Sequence, residues 1–391
     1  MAHDGFETQD SGSPGEAAQD AAVPPVPLPL PLPLSEDELA LINALQLRPR
    51  ASWTELGRAL DVDPVTVARR FHRLSEQGTA WVGFSPGPRL LEQICVAYVV
   101  IDCAPGTTAQ VARALSTHPH MVTIERTATG HDILATVATR DLPALSRYTL
   151  DLLPRLPGIT DVQSRIVTHM FTEGGHWRIA ALTPAQRARL TAPSPAHTPR
   201  GALGEINPVD RALVTRLARD GRAPYQTLAR DLGVSLSTAK RRIEALTRRG
   251  LLRFRCDFAR PLGGWPVAVT FWAKVPPADL PDIGQALIHL PETRNCAAVS
   301  GPQNLVVQAT LHSLGDILRL ETQLATAHPA LDIADRVVTL RQDKLLGRLL
   351  DAHGRSVGVV PADLWAEPAN GPRPDPPGCR KVRRGGDVES V

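Results

Sequence analysis

Lys240, Arg241 and Arg242 stand in a row inside the stretch Ser235-Leu-Ser-Thr-Ala-Lys-Arg-Arg-Ile-Glu-Ala-Leu-Thr-Arg-Arg-Gly250. Guanidinium and ammonium groups hold phosphate oxygens through charge-assisted hydrogen bonds, so a face of them suits a nucleic-acid backbone. From Ser235 to Arg255 the net charge is +6, against +3 for the whole 391-residue chain. Ala239, Ile243 and Leu246 recur at i, i+4 and i+7 and so share the inner face of a helix. That leaves Ser235, Ser237, Thr238, Lys240, Arg241 and Arg242 to meet a partner. Either serine can cap the helix start, and Gly250 can end it. A second, weaker constellation runs from Asp63 to Gly78. Asp63 can cap, Pro64 suits the first helical position, and Val67, Phe71 and Leu74 face inward. Thr66, Arg69, Arg70 and Arg73 face out. Its net charge from Asp63 to Phe84 is +1, so the later helix is expected to be the main anchor.

Other chemistries find no such support. The five cysteines (95, 103, 256, 296 and 379) form no CxxC and no Cys/His cluster of zinc spacing, which fits buried thiols in a reducing compartment. The twelve histidines are scattered. No nucleophile–base pair and no glycine-rich phosphate loop occurs, so no catalytic residue, metal or cofactor is expected. The start of the chain is acidic and no apolar run reaches membrane-span length, which points to a cytoplasmic protein without membrane contact.

The basic helices need supporting elements, and the sequence supplies them twice. Residues 35–84 read as three short helices. Ser35 with Glu38 forms a capping box for the first, over 36–47. Ser52 or Trp53 opens the second, and the turn Asp61-Val-Asp-Pro64 leads into the third. This is a helix-turn-helix pattern. From Ile94 the period changes, and strand, helix, strand, strand, helix, strand follow at 94–101, 107–116, 121–127, 133–139, 142–153 and 159–168. That is the ferredoxin-like order. The pattern then repeats at a constant offset of 172: Leu56 meets Leu228, Arg69-Arg70 meet Arg241-Arg242, and Gly78 meets Gly250. The second helix-turn-helix lies at about 206–253 and the second ferredoxin-like unit at about 265–341.

The expected fold class is α+β: two winged-type helix-turn-helix domains, each followed by a ferredoxin-like domain. Expected boundaries are a Pro-rich arm at 1–34, helix-turn-helix domains at 35–84 and 205–256, and ferredoxin-like domains at 92–170 and 264–342. A linker with one helical signal at 183–190 is expected at 171–204. An extension at 343–391 should begin with a short helical end and finish in a basic tail.

The run Asn207-Pro-Val-Asp-Arg-Ala-Leu-Val-Thr-Arg-Leu-Ala-Arg-Asp-Gly-Arg222, with Leu228-Ala-Arg-Asp-Leu-Gly-Val-Ser-Leu-Ser-Thr-Ala-Lys-Arg-Arg-Ile-Glu-Ala-Leu246, resembles the Lrp/AsnC family of bacterial transcription regulators. The first copy departs from the family pattern, with Arg48-Pro-Arg50 in place of the Gly-Arg turn and Asp63-Pro64 in place of the Ser start. The resemblance implies double-stranded DNA as partner and ferredoxin-like domains that pair, here within one chain, with further homo-oligomerisation open. It also implies a small effector, often an amino acid, bound near a loop glycine and a following Asp. Those positions here are Gly130 and Asp132 in copy one, and Gly301 and Asn304 in copy two. The residues alone allow a second reading, a tight hairpin turn at each glycine. Sirohaem decarboxylases share the same paired layout and are the alternative. The segments after the helical units, Trp81–Phe84 and Phe254–Asp257, carry no His for a tetrapyrrole pocket.

Overall fold

The computed structural model describes residues 33–128, 130–191 and 207–368. Most of the expected Pro-rich arm, the part of the expected linker after residue 191 and the basic end of the tail lie outside the described residues.

The first helical unit comprises α1 (Glu36–Leu47), α2 (Trp53–Leu60) and α3 (Pro64–Glu76), followed by strand β1 (Ala80–Pro86) and a single turn α4 (Pro88–Leu91). Both N-terminal boxes form: Ser35 with Glu38, and Ser52 with Glu55. The Asp63 carboxylate accepts from the Val65 and Thr66 amides ahead of Pro64, so three otherwise orphaned helix starts are satisfied by side chains. The first ferredoxin-like unit contains β2 (Cys95–Cys103), α5 (Thr108–Ser116), β3 (Met121–Thr127) and β4 (Ile133–Thr139). A helical segment beginning with α6 (Leu142–Ser146) and β5 (Ile159–Thr172) complete it. The single helix expected at 142–153 is broken. After α6 it widens into a π-turn at Arg147–Leu152 and tightens at Leu153–Arg155. Pro154 has no N–H to continue the α-ladder.

After α7 (Pro184–Leu190) the same order returns at the 172-residue offset: α8 (Pro208–Arg219), α9 (Tyr225–Leu232), α10 (Leu236–Arg248) and β6 (Leu252–Phe258). The second ferredoxin-like unit is β7 (Val267–Lys274), α11 (Leu280–Leu287), β8 (Thr293–Val299), β9 (Leu305–Leu311), α12 (Gly315–Ala327) and β10 (Asp332–Leu345). The helical end expected after residue 345 is instead a β-ribbon, β11 (Arg348–Leu350) and β12 (Ser356–Val359). Leu346 and Gly347, both at positive φ, turn the chain back on β10, whose free backbone groups then pair with β11.

β5 and β10 are each 14 residues long, longer than a ferredoxin-like unit needs. Through Ile166, β5 pairs with β2 of its own unit; from Val167 it pairs with β8 of the other. β10 does the same with β7 and then β3, with Thr339 opposite Thr127. Strands β10-β3-β4-β2-β5-β8-β9-β7 thereby close on themselves, leaving no free edge among them. Alternation along each strand divides the core in two. Val99 and Ile101 face the helices of unit one. Tyr98 and Val100 meet Trp272, Val299, Val306 and Val337 inside the ring. Tyr98 and Trp272 pack edge to face, ring centroids 5.9 Å apart.

The crossing half of each long strand also latches a helix of the other unit. Phe171 lies over α11 at Gly284, where a Cβ would come within 2.4 Å of its ring. Lys344, wholly buried, donates to the carbonyls of Ser116 and His118 at the end of α5 (3.0 and 2.8 Å). Burial pulls its ammonium down to about 7. Between pH 7 and the unfolded value near 10.5 the unfolded chain holds a proton that the native chain lacks, so this residue makes stability rise with pH across that window. Lys344→Met should flatten the rise by up to about 1.4 kcal/mol per pH unit, read as unfolding free energy in urea from pH 7 to 10. Parallel profiles for the two proteins would show that Lys344 is not depressed.

Candidate nucleic-acid interface and effector site

The two helical units touch directly. β1 and β6 form an antiparallel ribbon in which Gly83 lies opposite Arg255 and Ala80 opposite Phe258. Arg222 reaches across to donate to the carbonyls of Pro49 and Ala51 (2.7 and 2.8 Å), with its guanidinium 3.9 Å from the Trp53 ring centroid. Arg50, its counterpart at the 172 offset, donates to the carbonyls of Gly221 and Ala223 and lies over Tyr225 and Phe254. The exchange satisfies buried backbone carbonyls at both turns. Each cation–π contact adds about 0.5–2 kcal/mol, more where water is excluded. Burial and the Arg50 charge bring Arg222 down to about 10, so it stays charged at neutral pH.

This packing fixes the third helices, α3 and α10, and their basic residues divide into two sets. On α10, Lys240 and Arg241 are exposed beside the exposed Ser235 and Ser237 and the half-buried Thr238. The Ser235 hydroxyl accepts from the Thr238 amide, so Ser235 rather than Ser237 is the cap. Arg242 turns back to α8 and binds the buried Asp210 carboxylate at 3.0 Å. On α3, Arg69 is exposed and Thr66 half-buried. Arg70 and Arg73 bind Asp37 and Glu38 of α1 (3.0 and 2.7 Å). The charge count in the sequence therefore overstates the α10 face. Arg253 and Arg255 belong to β6, not to the helix. Arg253 meets Glu173, and the buried Arg255 chelates Asp257 (2.6 and 2.8 Å) while also reaching Glu173. A window counted along the chain cannot tell a helix face from the inward face of the strand after it.

The loop residues read as effector ligands serve the protein's own backbone. Asp132 accepts from the Cys103 amide (2.8 Å) and the Thr108 hydroxyl (3.1 Å). Asn304 brackets Val275, which is Cys103 plus 172, accepting from its amide and donating to its carbonyl (2.9 and 2.8 Å). Both side chains thus clamp the end of a central strand, β2 or β7. Gly130 and Gly301 lie at φ +69° and +111° with open space around them, the conformation that a hairpin turn asks of glycine.

A feature absent from the sequence reading is a cavity of about 130 Å³ beneath the second helical unit. Val214, Ala218, Leu246 and Leu252 wall it on one side, and Val122 and Ala138 of the first ferredoxin-like unit on the other. Arg255, Arg294 and Glu173 also line it. Only contacts far apart in sequence make it, so no local pattern announces it. Among the described residues no group of His, Cys, Asp or Glu is placed to hold a metal ion, and no helix is long and apolar enough to cross a membrane.

Substitutions at two positions test these assignments. Arg222→Ala should destabilise the chain by about 2–4 kcal/mol, because the Pro49 and Ala51 carbonyls lose their donor and the Trp53 and Phe71 rings lose their cover; urea unfolding measures it. Asp132→Asn should be nearly neutral to folding, since Asn304 performs the same clamp, while Asp132→Ala should cost about 1–3 kcal/mol. Equal losses for Asn and Ala would show that the carboxylate charge itself matters there.

Comparison with known proteins agrees with this architecture. The pattern described as the AsnC-type helix-turn-helix domain matches residues 35–75 and again 206–247, and that of the Lrp/AsnC ligand binding domain matches 96–176. An uncharacterised HTH-type transcriptional regulator of Pyrococcus abyssi is 30% identical over 139 residues, 34% of this chain and 85% of that protein. The HTH-type transcriptional regulator LrpA of Mycobacterium tuberculosis is 31% identical over 119 residues, 29% of this chain and 79% of its own. Over most of the chain the fold resembles that of the siroheme decarboxylase NirDL, with a TM-score of 0.52 at 13% identity, covering 83% of this chain and 95% of that one. With two helix-turn-helix matches, a ligand-binding-domain match and regulators as relatives, this chain belongs to the Lrp/AsnC family and carries the family's unit in tandem.

Proposed function

We propose that the protein is a sequence-specific DNA-binding transcription regulator. The observation that carries this reading is the exposed basic start of α10, Lys240 and Arg241 beside Ser235 and Ser237, on the third helix of a helix-turn-helix unit. In that fold the third helix enters the major groove while side chains at its start hold phosphates and base edges. The relatives' names as transcriptional regulators support it. Copy two is the stronger reader. Lys240 and Arg241 are exposed there, whereas on α3 Arg70 and Arg73 are held by α1 carboxylates and Arg69 remains exposed. Unequal readers held in one chain suit an asymmetric operator rather than a palindrome. In this reading the protein acts without catalysis, inside the cytoplasm.

The layout shared with a siroheme decarboxylase supplies the second reading, and the two arginines lining the cavity are the observation in its favour. An absorbance titration with an iron tetrapyrrole separates the two. No one-to-one band shift is expected, and a stoichiometric shift would favour the decarboxylase reading.

An electrophoretic shift with operator DNA recovered by oligonucleotide selection tests the main reading. Lys240→Ala with Arg241→Ala should weaken binding more than tenfold and lower the slope of log affinity against log salt by about 2, one per lost phosphate contact. Arg69→Ala should cost less than threefold. Equal losses at the two sites would refute the unequal division, and absence of salt-sensitive binding would refute DNA recognition itself.

A further inference from the structure

The two clefts between a helical unit and a ferredoxin-like unit occupy equivalent places at the 172 offset, yet only one is filled by the chain. Beside α1 the segment after β5 plugs its cleft. Trp177, Ile179 and Leu182 join the core of the first helical unit. The Trp177 indole donates to the Pro291 carbonyl at 2.8 Å, and the Ile179 amide donates to Gln46 at 3.0 Å. Ile42 and Gln46 correspond to Val214 and Ala218, which line the cavity beside α8. There the segment after β10 forms only a rim. The Asp363 amide reaches the Pro119 carbonyl, the counterpart of Pro291, and Leu364 and Trp365 close one side. Where copy one receives an indole, copy two keeps an apolar space.

That space ends in a cationic cluster. Arg178, Arg253, Arg255, Arg260 and Arg294 interact with Glu125, Glu173 and Asp257, five guanidinium groups against three carboxylates. Asp257 is taken by Arg255, leaving Arg294 a single 3.5 Å contact with it, although Arg294 is buried. Burial and the neighbouring Arg260 push Arg294 well below its ordinary range, as expected of a cation short of anions. The Ser85 hydroxyl, buried on the cavity lining, has no hydrogen-bond partner. Glu173, the acidic residue on the lining, is already paired with Arg253 and Arg255 and so is not free to hold an ammonium.

We propose that this cleft binds a compact apolar carboxylic acid that lacks an amino group, its body in the space between Val214, Leu246, Val122 and Ala138 and its carboxylate at the Arg294 end. The size argues for compactness, since an engineered cavity of about 150 Å³ accepts benzene. A body the size of a phenyl or isobutyl group fits. The site is separate from the β3–β4 and β8–β9 loops, and its occupancy is independent of whether the protein reads DNA.

Calorimetric titration of the full-length protein, without DNA, tests this with 3-phenylpropanoate and 4-methylpentanoate, and with phenylalanine and leucine as their amino counterparts. At least one of the acids should bind one-to-one, and its amino counterpart at least tenfold more weakly. Val122→Trp should abolish binding by filling the space. Arg294→Gln should weaken the acid at least tenfold. Melting curves of both variants without ligand establish that they fold, and should either unfold, Ala138→Leu serves as the filling variant. No binding of either acid to the parent protein, equal binding of acid and amino acid, or undiminished binding by a folded filled variant would each overturn the proposal.

Discussion

Two strands of double length hold this molecule in one arrangement. β5 and β10 each give their first half to their own sheet and their second half to the other, so neither ferredoxin-like unit has its full complement of strand partners alone. The helical units add a second connection between the copies. They are joined by the β1–β6 ribbon and by the Arg50 and Arg222 exchange. That ribbon follows directly on α3 and α10, so it sets where the two helices stand.

Much of this was legible in the sequence because it is written in local periods. The 3.6-residue spacing of Val67, Phe71 and Leu74, the Ser35–Glu38 box and the Asp63-Pro64 start are short-range signals, and each forms as read. The constant offset between copies showed the duplication. It also extends to contacts: Asp132 clamps Cys103 as Asn304 clamps Val275. What the sequence hid depends on which way a side chain points after folding. Arg242, Arg253 and Arg255 look like one basic run with Lys240 and Arg241, yet carboxylates of α8, β6 and the segment after β5 take them up. The ribbon after residue 345 escapes a local reading because its strands are only three and four residues long and its turn places a leucine at positive φ.

Several arginines of this protein serve its interior. Arginines at 50, 222, 255, 260 and 294 stabilise turns, stack on rings or bind buried carboxylates. The small net charge therefore says little about the surface that a partner meets.

The fusion of two copies has a consequence for how the interface can change. When identical subunits pair, any substitution appears on both sides and must be compatible with its own image. Here the images are different positions in one gene. Val122 and Arg294 are counterparts, as are Gln46 and Ala218, and they have diverged to opposite chemistry. Lys344 can cap the end of α5 while Phe171 covers α11. One cleft could be sealed with an indole and its mirror left open, a specialisation that a symmetric dimer cannot encode.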